Sequence, residues 1–317
     1  MLQLSDVRAA RKRIAGQVHL TPVLSSLRLG ERAGVRLLLK CENLQKTGSF
    51  KARGALNKVG QLDAAARERG VVTFSAGNHA QSLAWAAHAA GVHAVVVMPT
   101  FASPAKVEAS RGYGAEVLVH GANGMAALAR ARELEAERGL TFVHPFDDEL
   151  VAAGAGTVGL ELLEQANDLD VVVVPIGGGG LIAGILVALK ESNPKIRVYG
   201  VEPVGAASMR KSLDAGHAER LEVVDTIADG LAAPMAGEMN YEIVKRYADD
   251  VVLIDDAAIA EAVRELLLNT KLLAETAGAT ATAAILSGVI PLKKGERVAA
   301  IVSGGNVDVA KLVKTIS

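Results

Sequence analysis

An α/β fold, of two domains each with a mostly parallel sheet flanked by helices, is predicted by three features of this 317-residue chain. Short β-rich runs alternate with helix-like segments along most of its length, the pattern of parallel sheets covered on both faces. Half the residues are apolar but only 3% are aromatic, so Ala, Val, Leu and Gly must fill the interior. The length gives ample core for two domains or one large one.

Taken in order, residues 1–16 read as an amphipathic helix capped by Ser5-Asp6, with no apolar signal-peptide core after it. Cys41, the single cysteine, closes the apolar run 37–40 and reads as a buried thiol. It rules out an internal disulfide and agrees with a reducing, cytoplasmic setting. A strand at 71–74 leads to a helix at 78–90 closed by Gly91, then a strand at 94–98. Ser103-Pro104 supplies an N-cap and an N1 proline for a helix to about Arg111. A strand at 116–119, a helix at 125–137 and a strand at 141–144 follow. Farther on come a helix near 157–166, a strand at 171–174 and a helix at 181–190. Strands at 197–201 and 251–254, helices at 257–268 and 276–287, a strand at 298–302 and a helix from Val307 complete the alternation. Residues 210–240 have weak periodicity and read as an irregular excursion near the site.

Net charge is −1 with scattered basic residues, so neither a nucleic-acid footprint nor a polybasic membrane patch is expected. Val171 to Leu189 carries no charge but contains Pro175 and five glycines. Each glycine costs a helix interior roughly 1 kcal/mol and a proline roughly 3, so strand, loop and helix are expected there rather than a membrane span.

Four segments carry chemistry. Lys46-Thr47-Gly48-Ser49-Phe50-Lys51-Ala52-Arg53-Gly54 places a lysine between an aromatic ring and a small-residue helix start. An amine held there can lose its proton and form a Schiff base with an aldehyde; a solvated lysine is the plain alternative. Ser75-Ala76-Gly77-Asn78-His79 joins a strand to a helix N-terminus, where backbone N–H groups and the helix dipole suit an anion such as a carboxylate. Asn78 could also reach an aromatic hydroxyl. Gly177-Gly178-Gly179-Gly180-Leu181 follows a buried strand and lets the backbone wrap a phosphate. Ser303-Gly304-Gly305-Asn306 ends a strand with a hydroxyl at the edge where open α/β sheets bind ligands. Taken alone, Gly178 to Ala183 with Glu202 also fits a dinucleotide site, hence an NAD-dependent dehydrogenase. That reading leaves the other three segments unexplained.

Together the four segments resemble the fold-type II pyridoxal-phosphate (PLP) enzymes, specifically the serine/threonine dehydratase and serine racemase family. The resemblance runs from about Leu20 to the C-terminus. It is nearest to the short threonine dehydratases, without a regulatory domain; Ala52-Arg53-Gly54 separates the chain from cysteine and threonine synthases. The resemblance implies that Lys51 binds the cofactor aldehyde, Phe50 packs on its ring and Asn78 bonds the ring hydroxyl. Gly177, Gly178, Gly179, Gly180 and Leu181 would cradle its phosphate, with Ser303 facing the ring nitrogen. Ser75, Ala76, Gly77, Asn78 and His79, with Phe146, would meet the substrate. A small, mobile domain at residues 51–146 would close on a large one formed by 1–50 and 147–317, in a homodimer or homotetramer.

The expected reaction is β-elimination from a β-hydroxy-α-amino acid, first L-threonine and then L-serine, giving a 2-oxo acid and ammonia. Hydroxyaspartate and phenylserine are open alternatives, as is racemisation. Two departures weigh against racemisation: family racemases carry a serine at the position of Ala76, and an asparagine at that of Phe146. Racemases also hold a divalent cation beside a Glu-Pro acid. Here Glu202-Pro203 is present, but Ser208 stands where a second carboxylate belongs, so Glu202 is only a weak metal candidate.

Overall fold

Runs of valine become strands here because both faces of each sheet are covered, so no residue in the run needs to be polar. The computed structural model describes all residues, 1–317. In chain order the elements are α1 (Leu4–Ile14), β1 (Val23–Ser25), α2 (Leu27–Ala33), β2 (Arg36–Cys41), α3 (Lys51–Val59), α4 (Ala64–Arg69), β3 (Val71–Phe74), α5 (Asn78–Ala89), β4 (Ala94–Met98), α6 (Pro104–Gly112), β5 (Glu116–Val119), α7 (Gly124–Arg138) and β6 (Thr141–Phe142). They continue as α8 (Glu149–Gln165), β7 (Val171–Pro175), α9 (Gly180–Lys190), β8 (Arg197–Pro203), α10 (Ser208–Ala215), α11 (Glu238–Tyr247), β9 (Asp250–Ile254), α12 (Asp256–Thr270), α13 (Thr276–Leu286), β10 (Arg297–Val302) and α14 (Val309–Ile316).

Two sheets result. One has the order β1-β2-β10-β7-β8-β9, parallel except for β1 against β2; the other is β5-β4-β3-β6, parallel throughout. The α/β class with two parallel-sheet domains flanked by helices therefore holds. In β7, Val172 and Val174 join the core with α8 and α9, while Val171 and Val173 join the one with α12 and α13. That division is the two-residue period of a strand splitting one valine run between two faces. No helix is long and apolar enough to cross a membrane.

Several boundaries differ from expectation. α1 begins at Leu4, and Asp6 reaches back to accept from Gln3 N–H at 2.9 Å, so Gln3 stands at the cap rather than Ser5. The strand expected at 141–144 stops at Phe142, because the next residues turn into the site. α8 starts at Glu149, well before the expected residue 157. Asp148 caps it, accepting from Leu150 and Val151 N–H. The excursion at 210–240 is framed by α10 and α11, both helical.

α8 is the spine. Gly156 and Gly184 bring α8 and α9 into backbone contact: a Cβ on Gly156 would stand 2.6 Å from Gly184 O. On the other side, a Cβ on Gly154 would stand 2.6 Å from Arg53 O of α3. Close helix approach of this kind is open only to glycine.

Beneath α3 lies a buried charge network. Arg53 donates to Glu42 at 2.7 and 2.8 Å and to Glu161 at 2.6 and 2.9 Å, and Lys40 donates to Glu161 at 2.5 Å. Arg53, Lys40 and Glu42 are fully buried. Burial works against the Glu42 charge, but Arg53 overcomes it and holds the carboxyl below its usual range.

Candidate active site

The four chemistry-bearing segments converge at the C-terminal ends of the strands. Phe50 N–H donates to Ser303 O at 3.1 Å, Ser49 and Gly304 form an isolated antiparallel bridge, and Gly305 N–H donates to Gly48 O at 2.9 Å. The lysine segment is thereby stitched to the end of β10. Asn306 Nδ2 donates to Thr47 O at 2.7 Å and to Asn78 Oδ1 at 2.9 Å, which adds the turn before α5.

Lys51 opens α3. Its residue is only partly covered, but the amine is enclosed, and burial pushes it down to about 8. At that value roughly a tenth of the amine is unprotonated at neutral pH. Nζ donates to Pro145 O at 2.6 Å and lies 5.1 Å from the centre of the Phe50 ring. The residue after Pro145 is Phe146, whose ring covers Gly178 so closely that a Cβ there would collide with it. One short segment thus separates the amine from the glycine turn.

That turn is shaped for close approach. Gly179 has φ +91°, the left-handed region that glycine adopts freely, and α9 begins at Gly180 with Leu181 buried behind it. Asn240 Nδ2 donates to Gly178 O at 2.8 Å and to Phe146 O at 3.0 Å, bracing the turn from α11. Sequence reading missed Asn240, since nothing local marks an asparagine that acts across the fold.

Before α5, Ser75 Oγ accepts from Gly77 N–H at 3.1 Å. The first N–H groups of the helix, from Asn78 and His79, have no carbonyl one turn back and face outward. The His79 ring was expected at the substrate. Instead it is 2% exposed, directed at Val143 O with Nε2 at 3.3 Å, so only its backbone is available to an anion. Burial, with Lys51 nearby, keeps it neutral. Ala76 offers only a methyl group. Ser303 is buried, with Oγ 3.5 Å from Ala277 O.

Phe146 meets the glycine turn and stands edge-on to His144, with ring centres 4.6 Å apart. His144 Nδ1 accepts from Asp147 N–H at 2.8 Å. Burial, then Lys51 and Arg132, pushes that ring down to about 4, so it is neutral. Glu202 does not reach the site. It is fully buried and accepts from Met209 and Arg210 N–H, both at 2.8 Å, at the start of α10. Burial pushes its carboxyl up to about 7 against those two bonds. A ribose-binding or metal-binding role for Glu202 is therefore not supported by its geometry.

Two more unexpected residues complete the rim. Lys106 Nζ lies 3.4 Å from where a Cβ of Gly77 would stand, and it pairs with Asp229 at 3.2 Å. Lys106 belongs to α6 beside the smaller sheet, and Asp229 to the excursion beside the larger. No single segment of sequence reveals such a pair.

An enclosed, partly neutral amine, a glycine turn at a helix N-terminus and a fixed amide and hydroxyl suit a phosphorylated aromatic aldehyde. Comparison with known proteins agrees. A family model described as pyridoxal-phosphate dependent enzyme matches residues 14–304, and the chain belongs to that family. Within it, the chain is 44% identical over 317 residues to an L-threonine ammonia-lyase of Thermotoga maritima, covering 100% of this chain and 79% of that protein. Among solved structures, a bacterial threonine deaminase (T.th.) superposes with a TM-score of 0.91 at 44% identity, over 96% of this chain and 99% of the other. Maize serine racemase gives a TM-score of 0.95 at 38% identity, over 99% and 97%. The dinucleotide reading of Gly178 to Ala183 is set aside by this membership.

Proposed function

We propose that this protein eliminates water from L-threonine, and more slowly from L-serine, releasing a 2-oxo acid and ammonia. The observation that carries the reading is its 44% identity to an L-threonine ammonia-lyase across the whole chain. Pyridoxal phosphate, when bound, supplies the electron sink that makes the substrate's α C–H acidic. In this reading Lys51 holds the cofactor aldehyde, and the N–H groups at Gly177, Gly178, Gly179, Gly180 and Leu181 hold its phosphate. Asn78 meets the ring oxygen, Phe50 supports the ring, and Ser303 faces its nitrogen with a neutral hydroxyl.

The chain's own residues then divide the work. The turn from Ser75 to His79 binds the substrate carboxylate through backbone N–H groups, with the Lys106 cation adjacent. Lys51, released by the substrate amine, takes the α-proton; an amine with its proton affinity brought down to about 8 both accepts and returns a proton near neutrality. Loss of the β-hydroxyl as water completes the elimination, and hydrolysis of the enamine product gives the 2-oxo acid and ammonia. Racemisation needs a second proton carrier on the opposite face, and the methyl of Ala76 is none.

Residues 51–146, which include the whole four-stranded sheet, are proposed to move as a small domain over the rest. The Lys106–Asp229 pair would then join across the mouth. We also place the protein in the cytoplasm as a homodimer or homotetramer. Its single cysteine is buried, and exposed apolar side chains at Leu20, Leu27 and Val309 suit a protein partner surface.

The test is 2-oxo acid release from L-threonine beside L-serine, with pyridoxal phosphate and a chelator present and the chirality of residual substrate followed. Rapid 2-oxobutyrate formation with retained L-configuration is expected. Racemised substrate without 2-oxo acid would overturn the assignment. Gly178→Ala is a sharper probe of the turn. Because its methyl would collide with the Phe146 ring, cofactor affinity should fall at least about tenfold by fluorescence titration. Unchanged affinity would exclude this turn as the phosphate site.

A further inference from the structure

Glu275 is a carboxyl group that the proposed reaction does not use. It precedes α13 and is 4% exposed, with its backbone N–H donating to Gly304 O at 3.1 Å. Its Oε1 accepts from Asn78 Nδ2 at 2.6 Å. The carboxyl is pressed against the end of β10, so closely that a Cβ on Gly304 would collide with Oε1.

The surrounding bonds settle which way the Asn78 amide lies. Asn306 Nδ2 donates to Thr47 O, a pure acceptor, so the same nitrogen must meet Asn78 through its oxygen. Asn78 therefore turns Oδ1 to Asn306 and Nδ2 to Glu275. An amide nitrogen carries two hydrogens in the plane of the group, so holding one aims the other. We propose that Glu275 is a positioning residue that holds the Asn78 amide so that its second N–H meets the aromatic oxygen of the cofactor. This rests on the functional reading above.

Charge around the carboxyl gives it a second lever. Burial, with Asp229 adding to it, pushes Glu275 up to about 7, while Lys106 of α6, the Asn78 bond and Lys311 of α14 oppose the rise. Lys106 and Lys311 both pair with Asp229, at 3.2 and 3.1 Å. An ionised Glu275 is the stronger acceptor and makes the Asn78 amide a stronger donor. The cofactor's absorbance should therefore respond to this group near neutral pH.

The experiment uses the pyridoxal-phosphate holoenzyme and compares wild type with Glu275→Ala, Glu275→Gln, Asn78→Ala and the Glu275→Ala/Asn78→Ala pair. Cofactor affinity and visible spectra would be recorded from about pH 6 to 9, alongside kcat and KM. Glu275→Ala should weaken cofactor binding by about tenfold, the worth of one charge-assisted hydrogen bond. Glu275→Gln, whose oxygen accepts the same N–H, should restore affinity and flatten the spectral change near neutrality. The double variant should be no weaker than Asn78→Ala alone. Additive losses, or a Glu275→Gln spectrum that titrates as wild type does, would overturn the proposal while leaving the functional reading intact. A wild-type protein that takes up no pyridoxal phosphate would overturn both.

Discussion

Lys51→Ala is expected to lose at least about 10³-fold in 2-oxo acid release, and to do so without unfolding. The amine is the one basic group the geometry places at the junction of the lysine segment, Pro145 and the glycine turn. Borohydride should fix pyridoxal phosphate covalently to wild type and not to the variant, as read by mass. Stability should move the other way from activity. The unfolded chain keeps the Lys51 proton up to the ordinary lysine range, whereas the folded chain gives it up at about 8. Between those values the unfolded state binds more protons, so this group's contribution to stability rises with pH through that window. Below it, the folded cofactor-free protein bears the full cost of an enclosed ammonium. The cofactor-free variant should therefore have a Tm at pH 7 no lower than wild type, since the lost bond to Pro145 O offsets only about 1 kcal/mol. Full turnover in Lys51→Ala would refute the mechanism.

Arg53→Met should be the most damaging single change to folding. Two cations, Arg53 and Lys40, face two carboxylates, Glu42 and Glu161, in a site closed to water. Removing Arg53 leaves Glu42 with only Thr21 and the more distant Lys40. Breaking a buried pair from one side costs about 3–5 kcal/mol, most of it the penalty of an uncompensated charge. Urea unfolding of the cofactor-free protein would measure it, and the loss should shrink at acid pH as the stranded carboxylates take up protons. A change under about 1 kcal/mol would mean that water or Lys40 compensates. Replacing Arg53, Glu42 and Glu161 together by apolar residues should cost far less than Arg53→Met alone, because no charge is then stranded.

How much of this was legible depended on how local the signal is. Strands 71–74, 94–98 and 116–119 stand out because valine runs between turn residues have few other solutions. The first two turns of α8 escaped notice because Val151 to Gly159 is apolar or glycine on every side, so burial all round erased the helical period. β2 was read as no more than an apolar run, and its Lys40 is a fully buried cation whose partner lies on α8. In the site, lysine, glycine and asparagine segments announce themselves through local backbone needs. Glu275, Asn306, Asn240 and the Lys106–Asp229 pair act across long stretches of chain. Glu275 in particular reads, in sequence, as an ordinary acid at a helix start.

The glycine contacts of α8 have a mechanical meaning. Lys51 stands at the head of α3 and the glycine turn at the head of α9, and both helices are clamped to α8 backbone against backbone. No side-chain layer lies at those contacts to compress or slide. The two ends that would grip a rigid aldehyde phosphate are thus jaws cut in one solid block, set to a fixed gap before any ligand arrives. Whatever flexes when substrate enters has to flex elsewhere, along the Ser75–His79 side and its Lys106 rim, so the grip on the cofactor and the yielding toward the amino acid are assigned to different parts of the frame.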